Sequence, residues 1–480
     1  MVNSLNPLLN FLMFMALISS GQYLHAQKAS ENVKPNIVLF IADDLATEDL
    51  GAYGNTEVRT PNIDRLAAES MQFTNAFASS PTCSPSRSSI FTGLMPFKNG
   101  AHGNHTGVKK ETKSLVDYFE PLDYTVAIAG KYHVGPEENF AFERIMNSNV
   151  PEPGFEDKPG LHYDLNMGPV EQWLRVRKEK NPFMLVVADH SPHVVWPEKT
   201  AYSPEEVTMP SFHIDTEDTR HSRARYYEDI TKMDANLGKL LAGLEKNGLD
   251  ENTIVVFISD QGPQWAFGKW NLYDYGLSSP LLVRWKDHVK AGSSSDALVS
   301  LTDLLPTFSE MAGDKAPTGI DGKSFLQVLL GNTETHRDLV YASHTGDGTM
   351  NRSPMRMVRS SKYKYILNLA PEIRYNTHMN KAKDHDGGRE YWDSWQEKSF
   401  RDVHAANVLY RYHNRPKEEL YDLKNDPTEQ INLAQLEPSQ EILSKFRKQL
   451  ANWRKEQGDF KTGPEELSVK HQKVVVPYTF

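Results

Sequence analysis

Four short apolar runs, each broken off by charged or amide side chains, constrain this chain more than any other feature. "NIVLFIADD" carries Ile37 to Ala42 into Asp43 and Asp44, and "YTVAIAGKYHVG" delivers Lys131 and His133. "FMLVVADHSPH" leads to Asp189, His190 and His193, and "TIVVFISDQG" ends at Asp260 and Gln261. Runs rich in Val and Ile, without polar alternation, suit central strands of a parallel sheet covered on both faces. Helical patterns lie between them. "TPNIDRLAAESM" puts Thr60 at an N-cap and Pro61 at the first helical position, with Ile63, Leu66, Ala67 and Met71 on one face. Ser222 to Asn247 repeats the pattern through Ile230, Met233, Leu237, Leu240, Leu241 and Leu244, with Gly248 as a stop. The alternation predicts an α/β sandwich, a large and mostly parallel sheet between helices, with ligands outside the carboxyl ends of the strands. The four polar clusters then share one edge. A single Asp or Lys there is commonly a solvated loop charge; four clusters together point to a site.

Asp43, Asp44, Asp260 and Gln261 offer only oxygen donors, three of them anionic. That set suits a hard cation, calcium or magnesium, rather than zinc. "DD" alone reads equally well as a pair of turn residues, and the second acidic strand end is what favours a metal. The chain's single cysteine, Cys83, sits in "PTCSPSRSSIFTGL". A free thiol is usually a small buried hydrophobe, yet here its neighbours are polar up to Ile90. Ser84 and Pro85 predict a helix start, Gly93 predicts its end after Thr92, and Arg87 lies one turn in. Cys83 is then expected just before the positive end of a helix dipole, where anions are favoured.

"CSPSRSSIFTG" resembles the type I sulfatase signature, C-x-P-S-R followed by an apolar pair, Thr and Gly. The landmarks "PNIVLFIADD", "TPNIDRLAAESMQFTNAF", "GKYHVG", "SPH", "SDQG" and "ELYDLKNDPTEQINLA" follow in the order that family has, across nearly the whole chain after its first residues. The resemblance implies an alkaline phosphatase-like fold and conversion of Cys83 to formylglycine, whose hydrate is the nucleophile, by a formylglycine-generating or sulfatase-maturating enzyme. It also implies one divalent ion, calcium first and magnesium second, held by Asp43, Asp44, Asp260, Gln261 and the modified Cys83. Arg87 would stabilise the hydrated aldehyde, and Lys131 and Lys269 would grip the sulfate. His193 would protonate the leaving atom, and His133 would take a proton from the second hydroxyl. Gln261 stands where family members often have Asn or His, which makes it the least typical ligand.

Within the family, "GKWNLYDYGLSSPLLVRW" and "SHTGDGTMNRSPMRMVRSSKY" are similar to the branch of heparan N-sulfatase, the N-sulfoglucosamine sulfohydrolases, which also holds bacterial enzymes acting on ulvan. Ser191 replaces the acidic residue that the N-sulfatase pattern has before Pro-His. The expectation is therefore an O-sulfatase acting on a sulfated polysaccharide, ulvan favoured, with His190, His344 and Asp347 as sugar contacts. The alternatives are an N-sulfoglucosamine sulfohydrolase, a phosphonate or phosphate-ester hydrolase of the same superfamily, and a sulfated-glycan binding protein without chemistry.

The apolar run Leu8 to Ile18, with a cut after Ala26, is similar to a secretory signal peptide, so the protein is expected to be exported to the periplasm or secreted. No later segment is long and apolar enough for a membrane span. A net charge of −10 argues against a nucleic-acid partner. Residues 27–336 are expected to form the catalytic domain and 337–480 a smaller one. There "SPMRMVRSSKYKYILNL" predicts an antiparallel hairpin and Pro438 to Gln457 a closing helix. Tyr375 to Phe400 reads as an irregular loop over the cleft or a surface excursion, with Trp392 and Trp395 available to stack on sugar rings.

Overall fold

The computed structural model describes residues 34–152, 156, 162–177, 181–348, 351–381 and 389–459. The expected signal peptide lies outside them. Strands run in chain order as β1 (Asn36–Ala42), β2 (Met71–Phe73), β3 (Ala76–Phe77), β4 (Thr125–Gly130), β5 (Glu143–Arg144), β6 (Asn149–Pro151), β7 (Tyr163–Leu165) and β8 (Phe183–Ala188). They continue as β9 (Thr253–Ser259), β10 (Leu281–Arg284), β11 (Ser293–Ser295), β12 (Val299–Ser300), β13 (Val340–His344), β14 (Met355–Arg359), β15 (Tyr363–Asn368) and β16 (Glu418–Asp422).

Eight of these form one sheet in the order β11-β2-β10-β9-β1-β8-β4-β5. The four apolar runs of the sequence are its central, mutually parallel strands, β9, β1, β8 and β4. β1, β8 and β9 are buried along their whole length, as strands covered on both faces must be. Register aligns their ends: Ala42 lies beside Ser259, Ile41 beside Ala188, and Gly130 beside Ala188. The residues that follow therefore emerge side by side along one edge. Gly130 has φ +81, and a Cβ there would stand 2.0 Å from the Ala188 carbonyl oxygen, so only glycine lets β4 turn this close to β8.

Helix Pro61–Ala68 is shorter than its apolar spacing suggested. The Ser70 hydroxyl donates to the Leu66 carbonyl at 2.6 Å, closing the last turn, and Met71 begins β2 instead of lying on the helix. Thr60 occupies the N-cap position, but its hydroxyl donates to Asp64 rather than capping an amide. The long helix spans Glu217–Lys246 and starts before Ser222, because Thr216 accepts from the Thr219 amide and Glu217 and Asp218 favour its positive end.

β13 to β16 form the small antiparallel sheet, in chain order. Helix Gln440–Glu456 lays Leu443, Phe446, Leu450 and Trp453 against Val358, Tyr365 and Leu420 of that sheet. The stretch expected as an irregular loop instead contains helices His378–Lys381 and Trp392–Ser399. Trp392 and Trp395 are buried and pack with Tyr391, Tyr412 and His213. They hold the protein together and do not face a sugar, since burial of two indoles outweighs what an exposed stacking surface would retain. Among the described residues no helix is long and apolar enough to cross a membrane.

Candidate active site

The Cys83–Thr92 helix is buried at every position although it is built largely from Ser, Arg and Thr. Its polar side chains are spent on neighbours. Ser84 donates to the Thr106 carbonyl at 2.9 Å, and Arg87 donates from Nε to Asp260 at 2.7 Å and from Nη1 to the Lys131 carbonyl at 3.1 Å. The helix begins two residues earlier than expected, with Thr82 at the N-cap position and Cys83 as its first residue, and Ser84 spends its hydroxyl on Thr106. Gly93 ends it with φ +65. Cys83 is thus fixed at the N-terminus of a rigid element, aimed at the ends of β1 and β9.

The Cys83 sulfur lies 3.6 Å from Asp43, 3.9 Å from Asp44, 3.8 Å from the Lys131 ammonium and 3.3 Å from the Gln261 amide nitrogen. Ligand atoms of Asp43, Cys83 and Asp260 all fall within 4.8 Å of one another. Asp44 adopts φ 64 and its amide donates to Asp260 at 3.2 Å, which turns the two acidic strand ends toward each other. The Lys131 ammonium bonds Asp43, and Lys269 bonds Asp44 at 2.6 Å. Lys269 sits on a tight loop whose Trp270 amide donates to the Pro81 carbonyl at 2.9 Å, tying it to the segment that leads into Cys83.

Electrostatics follow from this crowding. Burial raises the Cys83 thiol far above its ordinary value, and Lys131 and Lys269 do not offset it, so the thiol itself stays protonated and is a poor nucleophile. Burial also drives Asp260 upward to about 7; Arg87 opposes this, while Asp43 and Asp44 add to it. Asp43 goes the other way, because Lys131, His193 and Arg87 together outweigh its burial. The Gln261 Oε1 atom is buried without a partner among the described residues, while its nitrogen faces Asp44 and Cys83. Three carboxylates, one of them pushed toward protonation, and an orphaned amide oxygen make a donor set that fits a hard divalent cation.

A cavity of about 180 Å³ opens above this floor, lined there by Asp43, Cys83, Lys131 and Lys269. His133 and His193 line it as well. His193 fixes Nδ1–H on the Val194 carbonyl at 2.6 Å and leaves Nε2 3.6 Å from Asp44. His133, with φ 47, shares a hydrogen bond of 2.9 Å with His105. Burial and nearby positive charge hold both rings below their ordinary range; His105 acts chiefly on His133, and Lys269 on His193.

Of the expected sugar contacts, His190 and Asp347 line the cavity. His190 shares 2.8 Å with Asn149, and Asp347 accepts from Trp270 Nε1 at 2.8 Å and Asn104 at 2.9 Å. His344 does not line it: this ring is fully buried inside β13, where the small sheet packs, and burial lowers it to about 4. Arg87 also stays behind the floor, bound to Asp260, Asp43 and the Lys131 carbonyl. Sequence reasoning missed several wall residues, among them Asn104, His105, Glu152, Tyr163, Trp270 and His378. Trp270 adjoins Lys269 in "GKWNLYDYG" and could have been inferred; the others lie in polar segments with no periodic signal.

The parallel sheet with its helices, the carboxylates at adjacent strand ends and the small second sheet define a hydrolase of the alkaline phosphatase-like fold. Solved structures of similar shape include one in complex with its substrate D-glucosamine-2-N,6-O-disulfate, with TM-score 0.67, 21% identity, and 89% of this chain and 99% of that one covered. Another is the phosphonate monoester hydrolase of Agrobacterium radiobacter, with TM-score 0.66, 19% identity, and 88% and 96% covered. The chain belongs to the sulfatase family, enzymes that hydrolyse sulfuric esters. The sulfatase profile matches residues 35–314, and that of the N-sulphoglucosamine sulphohydrolase C-terminal part matches 262–402. An ulvan-active sulfatase of Formosa agariphila is 34% identical over 89% of this chain and 81% of its own. The human N-sulphoglucosamine sulphohydrolase is 31% identical over 88% and 90%.

Proposed function

We propose that this chain is an exported O-sulfatase that removes sulfate from a sulfated polysaccharide or its fragments, ulvan-type chains first. The observation that carries the reading is the meeting of Cys83 with Asp43, Asp44, Asp260, Lys131 and Lys269 at the floor of one cavity. Formylglycine made from Cys83 by a maturation enzyme supplies a hydrated aldehyde as the nucleophile, a role the protonated thiol cannot fill. A divalent cation, calcium before magnesium, held by Asp43, Asp44, Asp260 and Gln261 supplies Lewis-acid polarisation of the ester.

The chain's own residues do the rest. Lys131 and Lys269 bind sulfate oxygens and balance the charge that develops as the S–O bond lengthens. His193 carries its mobile proton at Nε2, since Nδ1–H is fixed on Val194, and delivers it to the leaving oxygen. A sulfate anion between Lys131 and Lys269 offsets the positive charges that hold His193 down, so proton affinity rises as substrate enters. His133, kept neutral by burial and by His105, is suited to accept a proton. Arg87 acts as a positioning residue that locks the Cys83 helix to Asp260.

A second reading, cleavage of N-sulfate, has support in the likeness to the N-sulphoglucosamine enzyme. Against it, Ser191 is not acidic, and its hydroxyl donates to Asp229 at 2.9 Å, away from substrate chemistry. The test is sulfate release from ulvan and from heparan fragments by protein co-expressed with a maturation enzyme, with mass analysis of the Cys83 peptide. Release from ulvan with an aldehyde at Cys83 is expected. An intact thiol in a fully active protein overturns the reading, and preference for a phosphate ester over the matching sulfate ester moves it to the phosphorus-ester alternative.

A further inference from the structure

The helix that begins at Cys83 has no cap of its own. Thr82 stands at the N-cap position without a side-chain bond to the helix, and its hydroxyl faces the Ser80 hydroxyl instead at 3.2 Å. The backbone group that such a cap would take is claimed from twenty residues further on: the Ser84 amide donates to the Asn104 side-chain oxygen at 3.3 Å. The other end of that side chain is equally committed. Asn104 Nδ2 donates to Asp347 at 2.9 Å and stands 3.2 Å from Nε2 of His105. A donor at one end and a carboxylate at the other allow the buried Asn104 side chain one orientation only.

His105 carries the connection to His133. Its Nδ1 shares a hydrogen bond of 2.9 Å with Nε2 of His133, and the ring centroids lie 4.9 Å apart. Both residues have left-handed backbones, φ 60 at His105 and φ 47 at His133. Residues with a Cβ hold that conformation at a cost, and it persists where the surroundings over-determine it. Here they do. The Asn104 amide donates to the Gly346 carbonyl at 3.1 Å, the Ser84 hydroxyl donates to the Thr106 carbonyl at 2.9 Å, and the Val108 amide donates to the Gly135 carbonyl at 2.7 Å, two residues past His133. One short loop is therefore tied to the Cys83 helix, to the segment carrying Asp347 and to the segment carrying His133. The remaining nitrogen of His133, Nδ1, is buried and has no partner among the described residues. The ring is held at one nitrogen, and the other is kept for a reacting group.

We infer that Asn104, acting through His105, is a positioning residue that holds the His133 ring in register with the side chain at Cys83. A nucleophile and a proton acceptor work together only at a fixed separation, and here they stand on different elements, the Cys83–Thr92 helix and the segment after β4. This deepens the sulfatase reading and rests on it for the proton that His133 takes.

Two readouts test the inference, one of them without turnover. In the Cys83→Ala chain with isotope-labelled histidine, NMR is expected to show the His133 ring in one tautomer, and adding His105→Ala should convert it to a mixture of two. In the matured protein His105→Ala changes a ring whose side chain is 56% exposed, so the thermal melt should stay nearly unchanged. On 4-nitrophenyl sulfate it should lower kcat about 10–100-fold and leave KM within about twofold, the size of a misplaced catalytic group. His105→Asn, whose amide reaches the place of Nδ1, should restore most of that loss. Asn104→Ala should cost a similar factor, and the double variant no more than the larger single loss, because both residues act along one path. Losses that multiply in the double variant, equal losses for both His105 substitutions, or a His133 tautomer that ignores His105→Ala overturn the inference while sulfatase activity stands. A matured, unsubstituted protein that leaves 4-nitrophenyl sulfate intact, with the His133 ring responding as expected, overturns the catalytic reading alone.

Discussion

Two buried ionic assemblies in this protein differ in what they leave undone. At the junction between helix Leu304–Met311 and the segment entering β13, Asp303 accepts from Arg337 Nε at 2.7 Å, His336 at 2.9 Å, and the amides of Ser300 at 3.0 Å and Lys323 at 2.8 Å, with Arg337 Nη2 as well. Every lone pair is spent and the carboxylate is fully buried. The cavity floor gathers more charged groups, Asp43, Asp44, Asp260, Arg87, Lys131 and Lys269, yet it leaves the Gln261 Oε1 atom orphaned, drives Asp260 toward protonation and exposes two lysines to a cavity. A closed network of buried charge holds parts together, and an open one is kept for a ligand.

The largest effect that sharpens this contrast is expected at Cys83. Cys83→Ala should lower kcat roughly 10⁴-fold or more, as loss of a nucleophile does, and should leave the thermal melt nearly unchanged because little volume is lost. Retention of a tenth of the activity would mean the floor is not the reaction centre. Next comes the closed network: Arg337→Ala strands the Asp303 charge and should remove about 3–5 kcal/mol of stability. Denaturant melts measure this, and kcat/KM of the folded fraction should hold. If the melts do not move, the two assemblies are not different in kind.

Lys269→Ala should reduce kcat/KM on a sulfate ester about 10²–10³-fold, the size of a lost transition-state contact. An effect confined to KM would reassign Lys269 to ground-state binding. The smallest effect is acid sensitivity at Asp303. Burial alone would raise this carboxyl, but Arg337 and His336 hold it below its ordinary value of 3.8. A depressed folded value means its stabilisation is present above 3.8 and is lost as pH falls through the lower, folded value. Melts taken from pH 5 downward should show that loss, and Arg337→Ala should move its onset to higher pH.

Much of this architecture is legible in the sequence because central parallel strands are apolar on both faces and stop where chemistry starts. The runs that end at Asp43, Lys131, Asp189 and Asp260 became four adjacent strands, and register alone then brought their ends together. The Cys83 helix was legible from Pro85 and Gly93 but not to the residue, since Ser84 found a partner at Thr106 that only the tertiary fold supplies. The walls were not legible. Glu152 and Asn104 reach the cavity through hairpin docking and a loop contact, which leave no period in the chain. His344 and Trp395 departed from expectation in the same way, each a ring expected at the sugar and found buried, because local polarity says little about what packs above it.

The burial of the whole Cys83–Thr92 helix has a consequence for timing. An enzyme that remodels the side chain at its first residue would have to reach a thiol that the docked helix buries. Activation on this reading belongs to the nascent or still-unfolded polypeptide, a window that closes when the helix docks, so molecules that fold unprocessed stay permanently silent.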